Sequence, residues 1–302
     1  MTLTNTPHVT AIIVTWNSGA VIDDLLRSIR ASRFEGTIQT VVVDNASTDD
    51  TVVRVRQLMP EATVLQTGRN AGYAAGANVG IALAIDSDAY LLLNPDLRLK
   101  PDSVSAMVDE LMSTDAGIVV PKLVDEQGGL RYSLRREPTV LRAWGESLLG
   151  GRRAGLYPML GEVETRDEVY ARAGPADWAT GAAMLVSREC SRRVGSWDET
   201  YFLYSEETDF ALRARDAGFE LRYTPASEVL HYEGESHQSA ALFALLTRNR
   251  VRLYRSRHGR VRTAVFWLGA VIGEAIRARQ PARRAGALAL LGQTSVMARP
   301  GP

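Results

Sequence analysis

Polar side chains that could hold a ligand lie at the ends of three apolar, strand-like runs in this sequence. Thr15 and Asn17 lie at the end of the run that begins at residue 9, Asp44 follows residues 37–43, and Asn94 and Asp96 follow residues 89–93. In open α/β sheets ligands bind at the carboxyl ends of the strands, so an acid at such a point is a candidate ligand for a metal ion or a phosphate. Asn94-Pro95-Asp96 on its own is more simply explained as a stable turn.

A second group of acids, Glu206, Glu207 and Asp209, opens a predicted helix. The helix dipole favours acids in a first turn by about 0.3–1 kcal/mol each, whatever the protein does. Glu207, however, shares a helix face with Phe210 and should point toward packed structure. A carboxylate turned toward a cleft has a raised pKa and can act as a general base. His231 is a further candidate ligand, although a lone histidine is more often structural.

Alternating strands and helices must position these groups. Strand-like runs at residues 9–15, 37–43, 64–65 and 89–93 alternate with segments of helical periodicity, which predicts a Rossmann-like, mostly parallel sheet flanked by helices. The residues predicted to begin helices are Ser18, Ser47 or Thr48, Pro101 and Ser205. Further strands are predicted at 117–120, 182–186, 221–223 and 230–231, and residues 131–175 are predicted to form loops and a helix over one side of the site.

Length and composition indicate a globular protein. With 302 residues, 45% of them hydrophobic, the chain can bury one large core with or without a smaller appendage. We predict a catalytic domain at 1–245, with halves at 9–120 and 121–245, and a basic helical extension at 246–302. One cysteine, Cys190, excludes an internal disulfide, and the N-terminus does not have the pattern of a signal peptide. A cytoplasmic location is therefore expected.

The net charge of zero conceals an asymmetry. From Arg248 onward there are twelve arginines and one acid, Glu274, which leaves 23 basic and 34 acidic side chains before that point. A basic tail can bind nucleic acid, an anionic membrane surface or the acidic body of its own or a neighbouring chain. An apolar stripe at 265, 268, 272 and 276 flanked by arginines suits an interfacial helix, and equally a helix packed on the body. The uncharged run 263–273 is too short to span a bilayer.

Several classes of nucleotide-binding protein are disfavoured. No Gly-x-Gly-x-x-Gly fingerprint follows the first predicted strand, and no Gly-x-x-x-x-Gly-Lys-Ser/Thr sequence occurs, which argues against a nicotinamide dehydrogenase and a P-loop nucleotidase. The acidic body and the absence of an aromatic-basic surface motif argue against nucleic-acid binding.

Seven motifs in order resemble those of the inverting glycosyltransferases of family 2, which have the GT-A fold. They lie at residues 14–17, 43–47, 69–73 with Asn78, 94–96, 178–181, 202–209 and 231–236. The resemblance runs from about residue 9 to 258 and is strongest to bacterial rhamnosyltransferases that act on polyprenyl-diphosphate N-acetylglucosamine. It implies a metal-dependent transferase with dTDP-L-rhamnose as the expected donor.

The resemblance also implies roles for individual residues. Asp96, with His231 as a further contact, would hold Mg²⁺ or Mn²⁺, although Asn94 replaces the first acid of the usual Asp-x-Asp. Glu207 replaces the family's aspartate base, with Asp209 as the alternative. Nucleotide-sugar contacts are expected from Thr15, Asn17, Asp44, Asn70, Gly72, Asn78 and Asn94, with Asp44 accepting the imide N–H of the base. Acceptor contacts are expected from Trp178, Arg135 and Arg136, and Trp178 and Trp197 are equally consistent with core packing.

The predicted activity is transfer of a sugar to a lipid-linked or glycan acceptor in cell-envelope polysaccharide synthesis. The C-terminal extension would touch the inner face of the membrane. Two alternatives stay open: a transferase that decorates a soluble natural product, and a sugar-nucleotide-binding protein with a degenerate site. The oligomeric state is open too, and includes a homodimer.

Overall fold

The computed structural model describes residues 6–232 and 239–293. The strands are β1 (His8–Thr15), β2 (Thr37–Asp44), β3 (Thr63–Gln66), β4 (Ala89–Leu93), β5 (Leu97–Leu99), β6 (Ala116–Val124), β7 (Leu134–Arg135), β8 (Gly174–Ala176), β9 (Trp178–Ala179), β10 (Ala183–Ser187) and β11 (Glu220–His231). The helices are α1 (Ile22–Arg30), α2 (Thr51–Leu58), α3 (Tyr73–Leu83), α4 (Ser103–Ser113), α5 (Val140–Leu149), α6 (Gly151–Gly155), α7 (Asp167–Tyr170), α8 (Arg188–Val194), α9 (Glu206–Asp216), α10 (Ala240–Arg257), α11 (Arg260–Ile276) and α12 (Pro281–Leu290).

In the described part of the chain, nine strands form one sheet in the order β3-β2-β1-β4-β10-β6-β11-β5, with β8 paired to β11. Strands β1 to β4 run parallel, as do β6 and β11, whereas β10 is antiparallel to both of its neighbours. The prediction of a mostly parallel sheet flanked by helices is confirmed. Since β1, β2 and β4 are parallel, their carboxyl ends meet at one edge, where Thr15 lies beside Asp44.

The sheet separates two hydrophobic clusters, and the apolar strands supply both. On β4, Leu91 and Leu93 face one cluster and Leu92 the other, and all three are fully buried. An apolar run with no polar face therefore reflects burial on both sides. Truncating one of these leucines to alanine would cost about 2–5 kcal/mol of folding free energy.

Several predicted helix starts were wrong. α1 begins at Ile22, because the carbonyl of Ser18 accepts the N–H groups of Val21 and Ile22 in a preceding turn. α2 begins at Thr51 rather than after Ser47 or Thr48, whose hydroxyls bind Asp44 and Asn17, and α4 begins at Ser103, after a turn that contains Pro101. Ser205 does precede α9, but its side chain does not cap that helix.

Strand β5 was not predicted, and it determines the position of Asp96. β5 pairs antiparallel with the end of β11, with Leu97 opposite His231. The runs predicted at 221–223 and 230–231 belong to this single strand, β11. The chain therefore leaves β4, turns at Asn94 to Asp96, and crosses directly to the carboxyl end of β11.

The last three helices pack on the body of the protein and on one another. The indole N–H of Trp144, on α5, donates to the carbonyl of Val265 at 3.0 Å, and that of Trp267 donates to Leu290 at 3.0 Å, joining α11 to α5 and to α12. Within residues 6–232 and 239–293, no helix combines the length and hydropathy needed to cross a bilayer.

Candidate active site

A cavity of about 580 Å³ opens at the carboxyl ends of the strands. Its walls come from the turn after β4, the end of β11, the small β7–β9 sheet, the start of α9, and α10. Six of the residues predicted from sequence line it together: Asn94, Asp96, Arg135, Trp178, Glu207 and His231. The cavity thus unites side chains that are up to 137 positions apart, from Asn94 to His231.

Asp96 and His231 form the candidate metal site. The imidazole Nε2 lies 3.4 Å from Asp96 Oδ2, and both side chains are mostly buried. That separation is near the distance of about 3 Å expected between neighbouring ligands of one small cation, and the donors suit Mg²⁺ or Mn²⁺. The described residues contain no group of three or more acids, histidines or cysteines able to hold a metal ion. Asp96 and His231 therefore fit a cation that is also held by substrate phosphates and water. Residues 233–236 of the predicted motif lie outside the described residues.

Glu206 and Glu207 lie side by side at the start of α9, and both line the cavity. The Oε2 atoms of both carboxyl groups are buried and have no hydrogen-bond partner. Burial raises the pKa of Glu207, and burial together with the charge of Glu207 raises that of Glu206 well above its usual range. Glu207 therefore has the open oxygen and the proton affinity that a general base needs. Gly181 packs directly against this side chain: a Cβ there would lie 3.2 Å from Glu207 Cβ, so a larger residue would have to displace Glu207 slightly.

The segment that leads into α9 has an unusual backbone. Phe202, Tyr204 and Ser205 have φ angles of 65°, 68° and 74°, a region that costs a non-glycine residue of order 1–3 kcal/mol. Asn249, on α10 and 1% exposed, counteracts this strain. Its Nδ2 donates at 2.8, 2.9 and 3.1 Å to the carbonyls of Tyr201, Leu203 and Tyr204. One amide from the C-terminal helices thus fixes the approach to the two glutamates.

Gly72, directly before α3, packs against the same segment at Phe202. Its φ of 92° and ψ of 174° lie in a region that is essentially restricted to glycine. A Cβ at Gly72 would lie 2.2 Å from the carbonyl oxygen of Phe202, which accepts the N–H of Tyr73 at 2.7 Å. Gly72 therefore permits α3 to contact the strained segment directly.

Gly72→Ala is expected to lower the free energy of unfolding by about 3 kcal/mol. Gly68→Ala is the matched control, because Gly68 also has a positive φ, 73°, but a Cβ there would contact nothing within 4 Å. Backbone strain alone should cost that control about 1 kcal/mol. Urea titrations of both variants measure the difference, and equal losses would show that the contact with Phe202 is unimportant.

The β7–β9 pair sets Arg135 beside Trp178, which are partners in register, and the guanidinium carbon lies 5.9 Å from the ring centre. Burial lowers the pKa of Arg135. Arg136, the other predicted acceptor contact, does not line the cavity, and its role stays a prediction. Its guanidinium binds the carboxylate of Glu164 and backbone carbonyls, including that of Gly161 at 2.8 Å, so it supports the loop wall. Trp197, stacked on Phe210, belongs to the core.

Sequence analysis missed an ionic cluster in the cavity wall. Arg250, on α10, donates to Glu146 on α5 at 2.8 Å and to Glu162 at 2.6 Å, and all three line the cavity. Tyr73 lines it too; burial, then the charges of Glu206 and Glu207, raise the pKa of its hydroxyl. No spacing along the chain links residues 146, 162 and 250, so only the fold reveals the cluster.

The residues predicted to bind the nucleotide lie at the same sheet edge but, apart from Asn94, not in the cavity lining. Asp44 is fully buried: Thr15 Oγ1 donates to it at 2.8 Å, and the N–H and hydroxyl of Ser47 also bind it. Asn17 Oδ1 accepts the N–H of Thr48 at 2.8 Å. A contact between Asp44 and a base therefore stays a prediction.

Two further predicted site residues are held by other side chains and backbone groups, and their roles stay predictions. The side chain of Asn78 is committed to Trp197, whose carbonyl and N–H it binds at 3.0 and 2.9 Å, and to Glu199, so it fastens α3 to that loop. Asp209, the alternative base, is not in the cavity lining and pairs with Arg213 at 2.7 Å. Asn70 binds the N–H of Gly72 at 3.1 Å and so shapes the loop.

Comparison with known proteins finds a matching family and several similar sequences. The model of the family described as glycosyl transferase family 2 matches residues 10–162. The N-acetylglucosaminyl-diphospho-decaprenol L-rhamnosyltransferase of Mycobacterium tuberculosis is 30% identical over 241 residues, covering 74% of this chain and 76% of that protein. Rhamnosyltransferase WbbL of Escherichia coli is 31% identical over 177 residues, covering 55% and 64%.

A solved structure supports the fold. The mannosyltransferase PcManGT from Pyrobaculum calidifontis, in complex with GDP-Man and Mn²⁺, superimposes with a TM-score of 0.57 over 99% of this chain and 77% of that one. At 17% sequence identity this likeness concerns the architecture alone.

Proposed function

This chain belongs to glycosyltransferase family 2, and we propose that it moves L-rhamnose from dTDP-L-rhamnose, with inversion, to a polyprenyl-diphosphate-linked sugar in cell-envelope polysaccharide synthesis. The identity of 30% to a rhamnosyltransferase with such an acceptor supports the donor and acceptor classes. The proposed place of action is the inner face of the membrane, where a lipid-linked acceptor would be presented.

The main support for the proposal is that a candidate base and a candidate metal site line one cavity. A buried carboxyl oxygen of Glu207 without a partner opens on the same cavity as the Asp96–His231 pair. Inverting transfer needs a base for the acceptor hydroxyl and, apart from it, a place for the charge of the leaving group. The cavity offers both.

In the proposed reaction, Glu207 takes the proton of the acceptor hydroxyl as the oxygen attacks the anomeric carbon. A carbon–oxygen bond to the acceptor forms on the face opposite the leaving group. The bond from that carbon to the phosphate oxygen breaks, and its electron pair leaves with the nucleoside diphosphate. Burial helps Glu207, since its raised pKa gives the carboxylate more affinity for the proton.

Asp96 and His231 are proposed to hold the divalent cation at the diphosphate. When bound there, the cation supplies Lewis-acid neutralisation of the charge on the leaving group. Asn94, which lines the cavity beside Asp96, is proposed to contact the donor. On the acceptor side, Trp178 offers a ring face to a sugar, and Arg135 offers charge to a phosphate.

The test is a transfer and hydrolysis assay of the purified protein. dTDP-rhamnose, UDP-sugars and GDP-sugars are each incubated with Mg²⁺, Mn²⁺ or chelator, with and without polyprenyl-diphosphate N-acetylglucosamine, and the products are identified by mass spectrometry. We expect metal-dependent release of dTDP and a rhamnosylated lipid.

Other outcomes separate the alternatives. Release of another nucleotide would contradict the donor. Transfer to a soluble natural product but not to the lipid would contradict the acceptor. Nucleotide binding without turnover of any donor, even with the lipid present, would identify a degenerate binding protein.

A further inference from the structure

α5 and α11 together form an exposed apolar surface. On α11, Val261, Val265, Leu268 and Ile276 lie on one face and are 79%, 40%, 44% and 62% exposed. Large apolar side chains at helical spacing are normally covered by other structure. In the described part of the chain, neither α10 nor α12 covers this face.

The surface continues onto α5. Leu141 and Leu148, seven positions apart on that helix, are 49% and 64% exposed. Trp144 lies between them in sequence and joins the two helices, because its indole donates to the carbonyl of Val265 and contacts Gly269. We call the patch formed by Leu141, Trp144, Leu148, Val261, Val265, Leu268 and Ile276 the docking surface.

Exposed arginines stand at both ends of α11, beside the docking surface in the chain. Arg260 and Arg262 at the start of α11, and Arg279 and Arg284 beyond its end, are all exposed. The acids of the two helices are drawn away from solvent, since Glu146 is bound to Arg250 and Glu274 to Arg283, with side chains 14% and 12% exposed. An apolar stripe with a cationic border and inward-paired acids matches a bilayer with anionic headgroups.

We infer that the docking surface binds the protein peripherally to an anionic lipid bilayer. The inference rests on the proposed function for its purpose, because a lipid-linked acceptor reaches the enzyme only at the membrane. α5 connects the two regions: Glu146 faces the cavity, while Leu141 and Leu148 on the same helix face outward.

Vesicle flotation tests this directly and needs no donor, so it is independent of the transferase assay. The full chain is mixed with vesicles of phosphatidylcholine alone or with added phosphatidylglycerol. We expect retention on the anionic vesicles, weakening as salt rises because the cationic contribution is screened. Val265→Glu with Leu268→Glu, and separately Arg262→Glu with Arg279→Glu, should each weaken retention at least about tenfold.

Ile85→Glu is the matched control. Ile85 is 77% exposed and precedes β4, so it lies at the sheet edge opposite the cavity, and its replacement should leave retention unchanged. The melting temperature of each variant verifies folding. Transfer to a short-chain, water-soluble acceptor should be the same in the docking-surface variants and the wild type, while transfer to vesicle-borne acceptor falls.

Two results would overturn the inference. One is no retention of the wild type on anionic vesicles. The other is equal retention of the wild type and the Val265/Leu268 variant; if sedimentation velocity then shows that this variant converts a wild-type dimer to monomer, a second copy of the chain is the occupant. If flotation succeeds and the transferase assay fails, the docking surface stands and the proposed function does not.

Discussion

Replacing Glu207 with glutamine is expected to lower kcat for sugar transfer by about 10²–10⁴-fold, the usual contribution of a general base. The amide fills nearly the same volume but cannot take the acceptor proton. Affinity for the donor should change little, because Glu207 acts on the acceptor. Single-turnover transfer assays and calorimetric titration with dTDP measure these two quantities.

Glu206→Gln is the control for this variant. Glu206 lies beside Glu207 in the same cavity and its carboxyl group also has a buried oxygen without a partner, so Glu206→Gln makes the same change of charge and volume one residue away from the proposed base. Transfer should therefore survive in Glu206→Gln. If Glu206→Gln abolishes transfer and Glu207→Gln does not, Glu206 is the base and our assignment is wrong.

The pH profile supplies a second readout for the same residue. Only the ionised form of Glu207 can accept a proton, so kcat/KM should fall as pH falls through its pKa. Burial raises that pKa, and the acid limb should therefore lie above the value of about 4.3 for an exposed glutamate. A limb at or below that value would show that another group controls the reaction.

Asp96→Asn is expected to reduce metal-dependent transfer by about 10³-fold, since a Lewis acid supplies several kcal/mol to a reaction that expels a diphosphate. The amide retains the size of the side chain but loses the charge that attracts the cation. The effect of Mn²⁺ on dTDP affinity, measured by calorimetry, should disappear as well, which tests the site without turnover.

Asp86→Asn is the matched control for Asp96→Asn. Asp86 lies in the loop before β4, at the opposite edge of the sheet, and its change removes one negative charge from the protein without altering the cavity. Unchanged metal dependence in Asp96→Asn would exclude Asp96 as the principal protein ligand, and loss of activity in Asp86→Asn would point to a general effect of charge.

The sequence predicts the sheet and the middle of the site because both depend on local patterns. The runs 11–14 in β1, 41–43 in β2 and 89–93 in β4 are apolar on both faces, and a buried strand of that kind needs no knowledge of its neighbours to be recognised. The turn at Asn94 to Asp96 and the start of α9 follow from such runs, and the family motifs identify their residues.

The features that the sequence did not reveal depend on contacts between distant segments. Asn78 and Arg136 carry polar groups that suit a ligand, but Trp197 and Glu164 bind them from remote parts of the chain. The sequence around Asn78 and Arg136 does not predict those partners. β5 has only three residues, too few for alternation to appear, and it exists because the end of β11 offers an unpaired edge.

The hydrogen bonds of Asn249 imply an order of events during synthesis of the protein. The segment before α9 and its two glutamates are completed by the side chain of Asn249, which follows the last strand of the sheet, β11, along the chain. During synthesis the sheet can form while that residue is still unmade. The nascent protein should therefore have a folded sheet but no transferase activity. Transfer should begin only when α10 has left the ribosome and packed against the segment before α9.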